Sequence, residues 1–134
     1  MRFVHTSDWH LGREFGPVSL ADDQQAFIDW LVALCAERQV ELVVIAGDIY
    51  DGEWKDNSIG LFFNREIARL AREKIPVFVI KGNHDAESVV TSAVPLPESV
   101  KVFSTRKADT VRLERLRVAI HGRSYAERAV TENL

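Results

Sequence analysis

Short continuous apolar runs alternate with longer stretches in which apolar residues recur at helical spacing. Phe3 to Thr6 is a short strand candidate, and Gly12, Gly16 and Pro17 mark a loop after it. Ser19 is placed to cap a helix, with Asp22 and Asp23 in its first turn. Phe27, Ile28, Leu31, Leu34 and Cys35 continue that helix to about Arg38. Leu42 to Ala46 is an unbroken apolar run rich in β-branched residues, the pattern of a buried parallel strand. The polar stretch from Asp51 to Asn57 predicts a loop, and Ser58 a second helix cap. Ile59, Phe62, Phe63, Ile67 and Leu70 then form an apolar stripe, with Arg65, Glu66, Arg69, Arg72 and Glu73 assigned to the opposite face. Val77 to Ile80 is the third strand, with Pro76 tolerated at its start.

The first 85 residues therefore predict β-α-β-α-β and a parallel sheet. Residues 86–99, with Pro95 and Pro97, look like a surface loop. Val100 to Phe103, Asp109 to Leu113 and Leu116 to Ile120 are short strand candidates, partly antiparallel. The tail from Gly122 through Glu127 and Arg128 is expected to be helical. Residues 1–134 are expected to form one α/β domain.

Three polar motifs sit at the ends of the first three strands: Ser7-Asp8-Trp9-His10, Ala46-Gly47-Asp48 and Gly82-Asn83-His84-Asp85. In a parallel α/β sheet the functional crevice lies outside the carboxyl ends of the strands. On an extended segment, Asp8 and His10 point to the same side. A carboxylate with an imidazole suits manganese, iron or zinc better than calcium. Asp48 follows a glycine able to turn tightly, and its two oxygens can bridge two ions. Asn83 offers a neutral oxygen. Two divalent ions about 3.5–4 Å apart activate a nucleophile and clamp a phosphate for in-line attack. His84 is suited to stabilising developing charge or protonating a leaving oxygen. Asp85 is suited either to orienting His84 or to capping the next segment.

Each of these residues also has a purely local use, as a turn or loop residue; their joint placement at three strand ends favours the metal site. His5 reads as a core histidine and His121 as structural. Trp9 and Trp54 read as packing residues, with base stacking as the alternative. Asp51 is either a carboxylate supporting the ligands or a loop residue. Arg13 is either a phosphate contact or a solvated charge.

Composition adds limits. Apolar residues make up 46% and charged residues 28%, an ordinary globular mix. The single cysteine, Cys35, excludes an internal disulfide and favours a cytoplasmic protein. No run reads as a membrane span or signal peptide. The net charge of −3 conceals an asymmetry. Residues 1–57 carry 4 basic and 11 acidic groups, whereas residues 58–134 carry 13 basic and 9 acidic. The acidic half attracts cations and repels a DNA backbone unless metals neutralise it.

The pattern Asp-x-His, Gly-Asp, Gly-Asn-His-Asp resembles the calcineurin-like metallophosphoesterase superfamily. The string from His5 to Arg13 is similar to the start of SbcD-type DNA-repair exonucleases. Asp48 to Asp56 and Gly122 to Arg128 resemble a YhaO-like branch of that group. The resemblance implies the N-terminal half of a four-layer α/β/β/α sandwich with two divalent ions, usually manganese. It assigns Asp8 and His10 to the first ion, Asp48 to both, Asn83 to the second, and His84 to catalysis. It also implies DNA as substrate and an SMC-like ATPase subunit as partner of the full-length protein. The family's later lone histidine and Gly-His-x-His ligands have no match here, because His121 is followed by Gly-Arg-Ser. A weakened second site, little activity from this chain alone, and homo-oligomerisation through a partly uncovered sheet are therefore expected. The competing readings are a phosphoesterase for small molecules or phosphoproteins, and a non-catalytic or designed scaffold with this fold.

Overall fold

The structure, a computed structural model, describes residues 1–51, 57–87, 95–127 and 129. Its strands are β1 (Phe3–Thr6), β2 (Glu14–Phe15), β3 (Val18–Ser19), β4 (Leu42–Ala46), β5 (Val77–Ile80), β6 (Val100–Val102), β7 (Asp109–Leu113) and β8 (Val118–Gly122). The helices are α1 (Ala21–Glu37) and α2 (Asn57–Arg72). Strands β1, β4, β5 and β6 form one parallel sheet in the order β1-β4-β5-β6. This is the β-α-β-α-β start that the apolar runs predict, extended by a fourth parallel strand.

One sheet face is covered by the helices. Val43, Ile45, Val77 and Val79 pack there with Ile28, Leu31 and Cys35 of α1 and Phe63, Ile67 and Leu70 of α2. Each large apolar side chain buried in this layer contributes roughly 1.5–3 kcal/mol. The antiparallel hairpin β7–β8 covers part of the other face. There Val111, Leu113, Leu116 and Ile120 pack over Leu42, Phe78 and Phe103. An α/β/β stack results, the fold class expected.

Four expectations need correction. His5 is exposed on β1 rather than buried in the core, and Phe3, two residues earlier, is 55% exposed. Strand β1 is a sheet edge, and the hairpin's apolar cluster draws on β4 and β5 but not on β1. Among its described residues the tail is not helical: Gly122 closes β8, and residues 123–127 form no helix or strand. The Ser124 N–H donates to Ser104 O, and the Tyr125 N–H to Lys81 O. Ser19 accepts a 3.3 Å bond from the Ala21 N–H, but Leu20 occupies the helix cap position and makes no side-chain cap bond. The fourth correction concerns Glu66, which is buried rather than on a solvated face.

Glu66 lies at the centre of an ion-pair network between the helices. Its oxygens accept 2.7 Å bonds from Arg65 Nε and Arg69 Nη1. Arg69 also donates to Asp29 of α1, and Arg65 Nη2 reaches Gln25 Oε1 at 3.1 Å. Burial alone would raise the Glu66 carboxyl, but hydrogen bonds from Arg69, Arg65 and Gln25 outweigh it and hold it below its ordinary value. Trp54 lies outside the described residues. Trp9 is a packing residue, edge-on to Phe27 and Phe63, with its indole N–H on Thr6 Oγ1 at 2.9 Å.

A depressed carboxyl contributes stability that is full above its unfolded value of about 4.3 and is lost as pH falls through the lower folded value. Glu66→Gln is therefore expected to cost about 1–3 kcal/mol at pH 7. The gap to wild type should shrink near pH 3. Thermal unfolding at both pH values checks this; an equal gap at both removes the charge argument.

Candidate metal centre

Strands β1, β4 and β5 are neighbours and run parallel, so the segments leaving their carboxyl ends begin side by side. The chain after β1 lies along the chain after β4. The Asp8 N–H donates to Gly47 O at 3.1 Å, His10 to Asp48 O at 3.0 Å, and Leu11 to Ile49 O at 2.8 Å. Parallel pairing thus persists past the named strands, through a Leu11–Tyr50 bridge.

The side chains do not converge through extended backbone, as expected for Asp8 and His10. Asp8, His10 and Asp48 have φ of 57°, 44° and 52°, all in the left-handed region. Aspartate tolerates that region better than most residues, and histidine is also enriched there. Three such residues together mark a strained segment, at roughly 1–3 kcal/mol each.

The result is a compact donor set. One ligand atom each from Asp8, His10 and Asp48 lies within 4.8 Å of the others. Ligands on opposite sides of a small divalent ion, with bonds of about 2.1 Å, stand about 4.2 Å apart. The set therefore fits one ion with little adjustment, and its oxygen and nitrogen donors suit a transition metal. His10 Nε2 is 3.8 Å from Asp8 Oδ1. On its other edge, His10 Nδ1 is 3.3 Å from Asp51 Oδ1. Asp51 also receives Arg13 Nε and Nη2 at 3.2 and 3.1 Å.

The third motif approaches from β5. The Gly82 Cα packs so closely on β4's exit loop that a Cβ on Gly47 would come within 2.9 Å of it. A Cβ on Gly82 would stand 2.1 Å from Asp48 Oδ1. The His84 N–H donates to that same oxygen at 3.2 Å, and the His84 ring lies edge-on to His10 with centroids 5.4 Å apart. Half-buried Asn83 is bracketed by these two neighbours of Asp48.

Asp85 is placed differently from a catalytic group. It is fully buried, and its oxygens accept the Tyr50 N–H at 2.9 Å and the Gly82 N–H at 2.8 Å. Burial raises its carboxyl above the ordinary value, against the lowering effect of bonds from Tyr50, Gly82 and Ile49. The same burial, with the Asp85 charge nearby, pushes the Tyr50 phenol up. Of the two uses expected for Asp85, orienting His84 or capping the next segment, the geometry shows neither: its bonded amides are those of Tyr50 and Gly82, both earlier in the chain. His121 is not among the three converging ligands: it is exposed on β8 and shares a 2.8 Å bond with Thr110.

Two positioning residues escaped the sequence reading. Gln24 of α1 donates to His10 O at 2.7 Å and accepts the Gly12 N–H at 3.1 Å. Ser124, also fully buried, donates to Phe103 O at 2.6 Å and accepts the Lys81 N–H at 2.9 Å. A polar residue in a helix's first turn, or a serine in a tail, carries no signal of such a partner. A cleft of about 410 Å³ opens beside the donor set, lined by Ser7, Asp8, His10, Arg13, Asp23 and Phe27 among others.

The sequence profile of the calcineurin-like phosphoesterase family matches residues 1–126. The chain belongs to that family. Two curated relatives, each named as the SbcD subunit of nuclease SbcCD, come from Escherichia coli strain K12 and Escherichia coli O157:H7. Each is 34% identical over 93 residues, covering 69% of this chain and 23% of the relative. The chain thus spans about a quarter of the length of the curated relatives it matches. Calcineurin-like phosphoesterase membership implies divalent metals, and the Asp8–His10–Asp48 cluster is where the described residues can hold one.

Gly82→Ala is expected to weaken manganese binding on the order of tenfold or more while leaving the helical core folded. The added methyl also meets the Asp48 backbone N at 2.5 Å, so rotating the carboxylate alone gives no relief. Calorimetric manganese titration with circular dichroism checks this; unchanged affinity in a folded variant contradicts it.

Proposed function

We propose that this chain carries part of a metal-dependent phosphodiesterase acting on DNA. The observation that carries the proposal is the convergence of Asp8, His10 and Asp48 within 4.8 Å, with His84 against them. Asp8 and His10 would hold a first cation, Asp48 would contribute to it and to a second, and Asn83 would serve the second. When bound, divalent cations supply an activated water and positive charge for the phosphate. His84 stands beside those residues, its ring edge-on to His10 and its N–H on Asp48. It donates a proton to the leaving oxygen or stabilises charge on the phosphoryl group. Asp48 fixes His84 through its backbone N–H. Asp85 acts through position alone.

Manganese is the proposed cation, because the donors mix carboxylate, amide and imidazole. DNA is the proposed substrate, because both relatives are named as parts of a nuclease. Their names describe one subunit of a nuclease with more than one; an ATPase partner subunit, a role in double-strand-break repair and a cytoplasmic location are proposed from the resemblance of the His5 to Arg13 string. No helix among the described residues is long and apolar enough to cross a membrane. Three converging ligands are found among the described residues, and Asn83 is proposed as the fourth. Four ligands serve two ions poorly, so turnover by residues 1–134 alone is expected to be weak. The open β1 edge with its exposed Phe3 supports self-association.

Single-turnover assays with protein in excess keep weak hydrolysis measurable. In manganese, duplex DNA cleavage is expected to fall about 10²–10⁴-fold in His84→Ala, which retains cation binding. Asp48→Asn should lose both binding and cleavage. Cleavage of a generic aryl phosphodiester but not DNA would favour the small-substrate reading. Assembly without metal and without turnover on either substrate would favour a scaffold.

A further inference from the structure

We infer that Asp51, gripped by Arg13, fixes the tautomer and ring orientation of His10, and so selects Nε2 as the atom His10 offers to a cation. This deepens the cation-site reading and rests on it. It begins from one buried atom. His10 Nδ1 is inaccessible and makes no aligned hydrogen bond, yet it lies 3.3 Å from Asp51 Oδ1. A neutral imidazole carries its proton on only one nitrogen. A proton on Nδ1 faces the Asp51 carboxylate; a proton on Nε2 would instead occupy the edge facing Asp8, 3.8 Å away. The first arrangement sets the buried proton beside its nearest carboxylate, 3.3 Å away though out of line, and leaves the Nε2 lone pair toward the donor set. A carboxylate behind a ligating histidine does this in metal sites generally.

Asp51 is itself tightly held. Arg13 binds both of its oxygens in a two-pronged contact, which fixes the carboxylate plane as well as its distance. The Asp51 N–H donates to Leu11 O at 3.2 Å, and the Arg13 N–H to His10 O at 3.0 Å. Backbone bonds thus tie the loop carrying Asp51 to the one carrying His10 and Arg13. Gln24 holds the His10 carbonyl from α1. With its fork engaged by Asp51, Arg13 serves first as a positioning residue rather than as a phosphate contact. Asp51 is likewise not one of the three converging ligands.

The test reads His10 directly. Long-range ¹H–¹⁵N NMR on the cation-free wild type should show the proton on Nδ1. Asp51→Ala should move the population toward Nε2–H and weaken manganese binding by about 10–100-fold. Asp51→Asn, whose amide carbonyl still accepts a bond, should restore the Nδ1–H tautomer. Arg13→Gln changes a half-exposed side chain and keeps the fold; it should broaden the His10 resonances and weaken manganese binding by a smaller factor. A wild type with its proton on Nε2 would overturn the inference. So would Asp51→Ala with unchanged tautomer and affinity. The tautomer is read without metal or substrate, so it decides this point even if DNA cleavage fails.

Discussion

The site depends on one buried carboxylate. Asp85 ties the exit loop of β4 to that of β5, through the Tyr50 and Gly82 amides. Burying a carboxylate costs several kcal/mol even after relaxation. Each hydrogen bond to a charged group returns about 1.5–3 kcal/mol, so the backbone amides offset part of that cost, although burial still outweighs them and leaves the carboxyl raised. What remains is geometric: the two loops can approach no closer and drift no further apart. Gly47 and Gly82 make the approach possible, since a side-chain atom on either would collide with the other loop.

The left-handed residues depend on that closure. Asp8, His10 and Asp48 hold conformations that cost energy in isolation. Backbone bonds from Asp8, His10 and Leu11 to the β4 exit loop stabilise the first two. Asp48 is held from the other side by the His84 amide and by the packing of Gly82. The same interactions that select these backbone angles therefore aim the donor atoms at one point. Gln24 and Ser124 extend the support outward, to α1 and to the chain after β8.

Much of this was legible because it is local. The runs at Leu42–Ala46 and Val77–Ile80 are long, apolar and β-branched, and the structure keeps those boundaries. Motifs at successive strand ends of a parallel sheet meet by topology alone, so Asp8, His10, Asp48 and His84 could be grouped from the sequence. The misreadings came from interactions that pattern does not encode. Glu66 falls among charged residues at helical spacing, yet α1 supplies the neighbours that bury it. His5 sits in an apolar strand, but exposure depends on how far a distant hairpin reaches across the sheet. The β2–β3 hairpin is only two residues per strand, too short for alternation to register. Left-handed angles at Asp8 and His10 follow from contacts with the distant exit loop of β4.

Electrostatics gives the arrangement its direction. Asp8 and Asp48 are held with ligand atoms within 4.8 Å, and Asp51 and Asp85 lie close behind. At an effective dielectric near 20, two such charges repel by about 3–4 kcal/mol. Arg13 neutralises Asp51, and backbone amides offset part of the cost of burying Asp85. Asp8 and Asp48 face one another with no such partner cation among the described ion pairs, apart from the His10 imidazole beside Asp8. The fold thus gives the outer carboxylates hydrogen-bond partners and leaves the inner pair facing each other. A divalent cation relieves that repulsion in the folded state and has no comparable site in the unfolded chain, so cation binding and folding are linked. Of the 11 acidic groups in residues 1–57, Asp8, Asp48 and Asp51 belong to this cluster, so part of that half's acidic bias is charge gathered where a cation can sit.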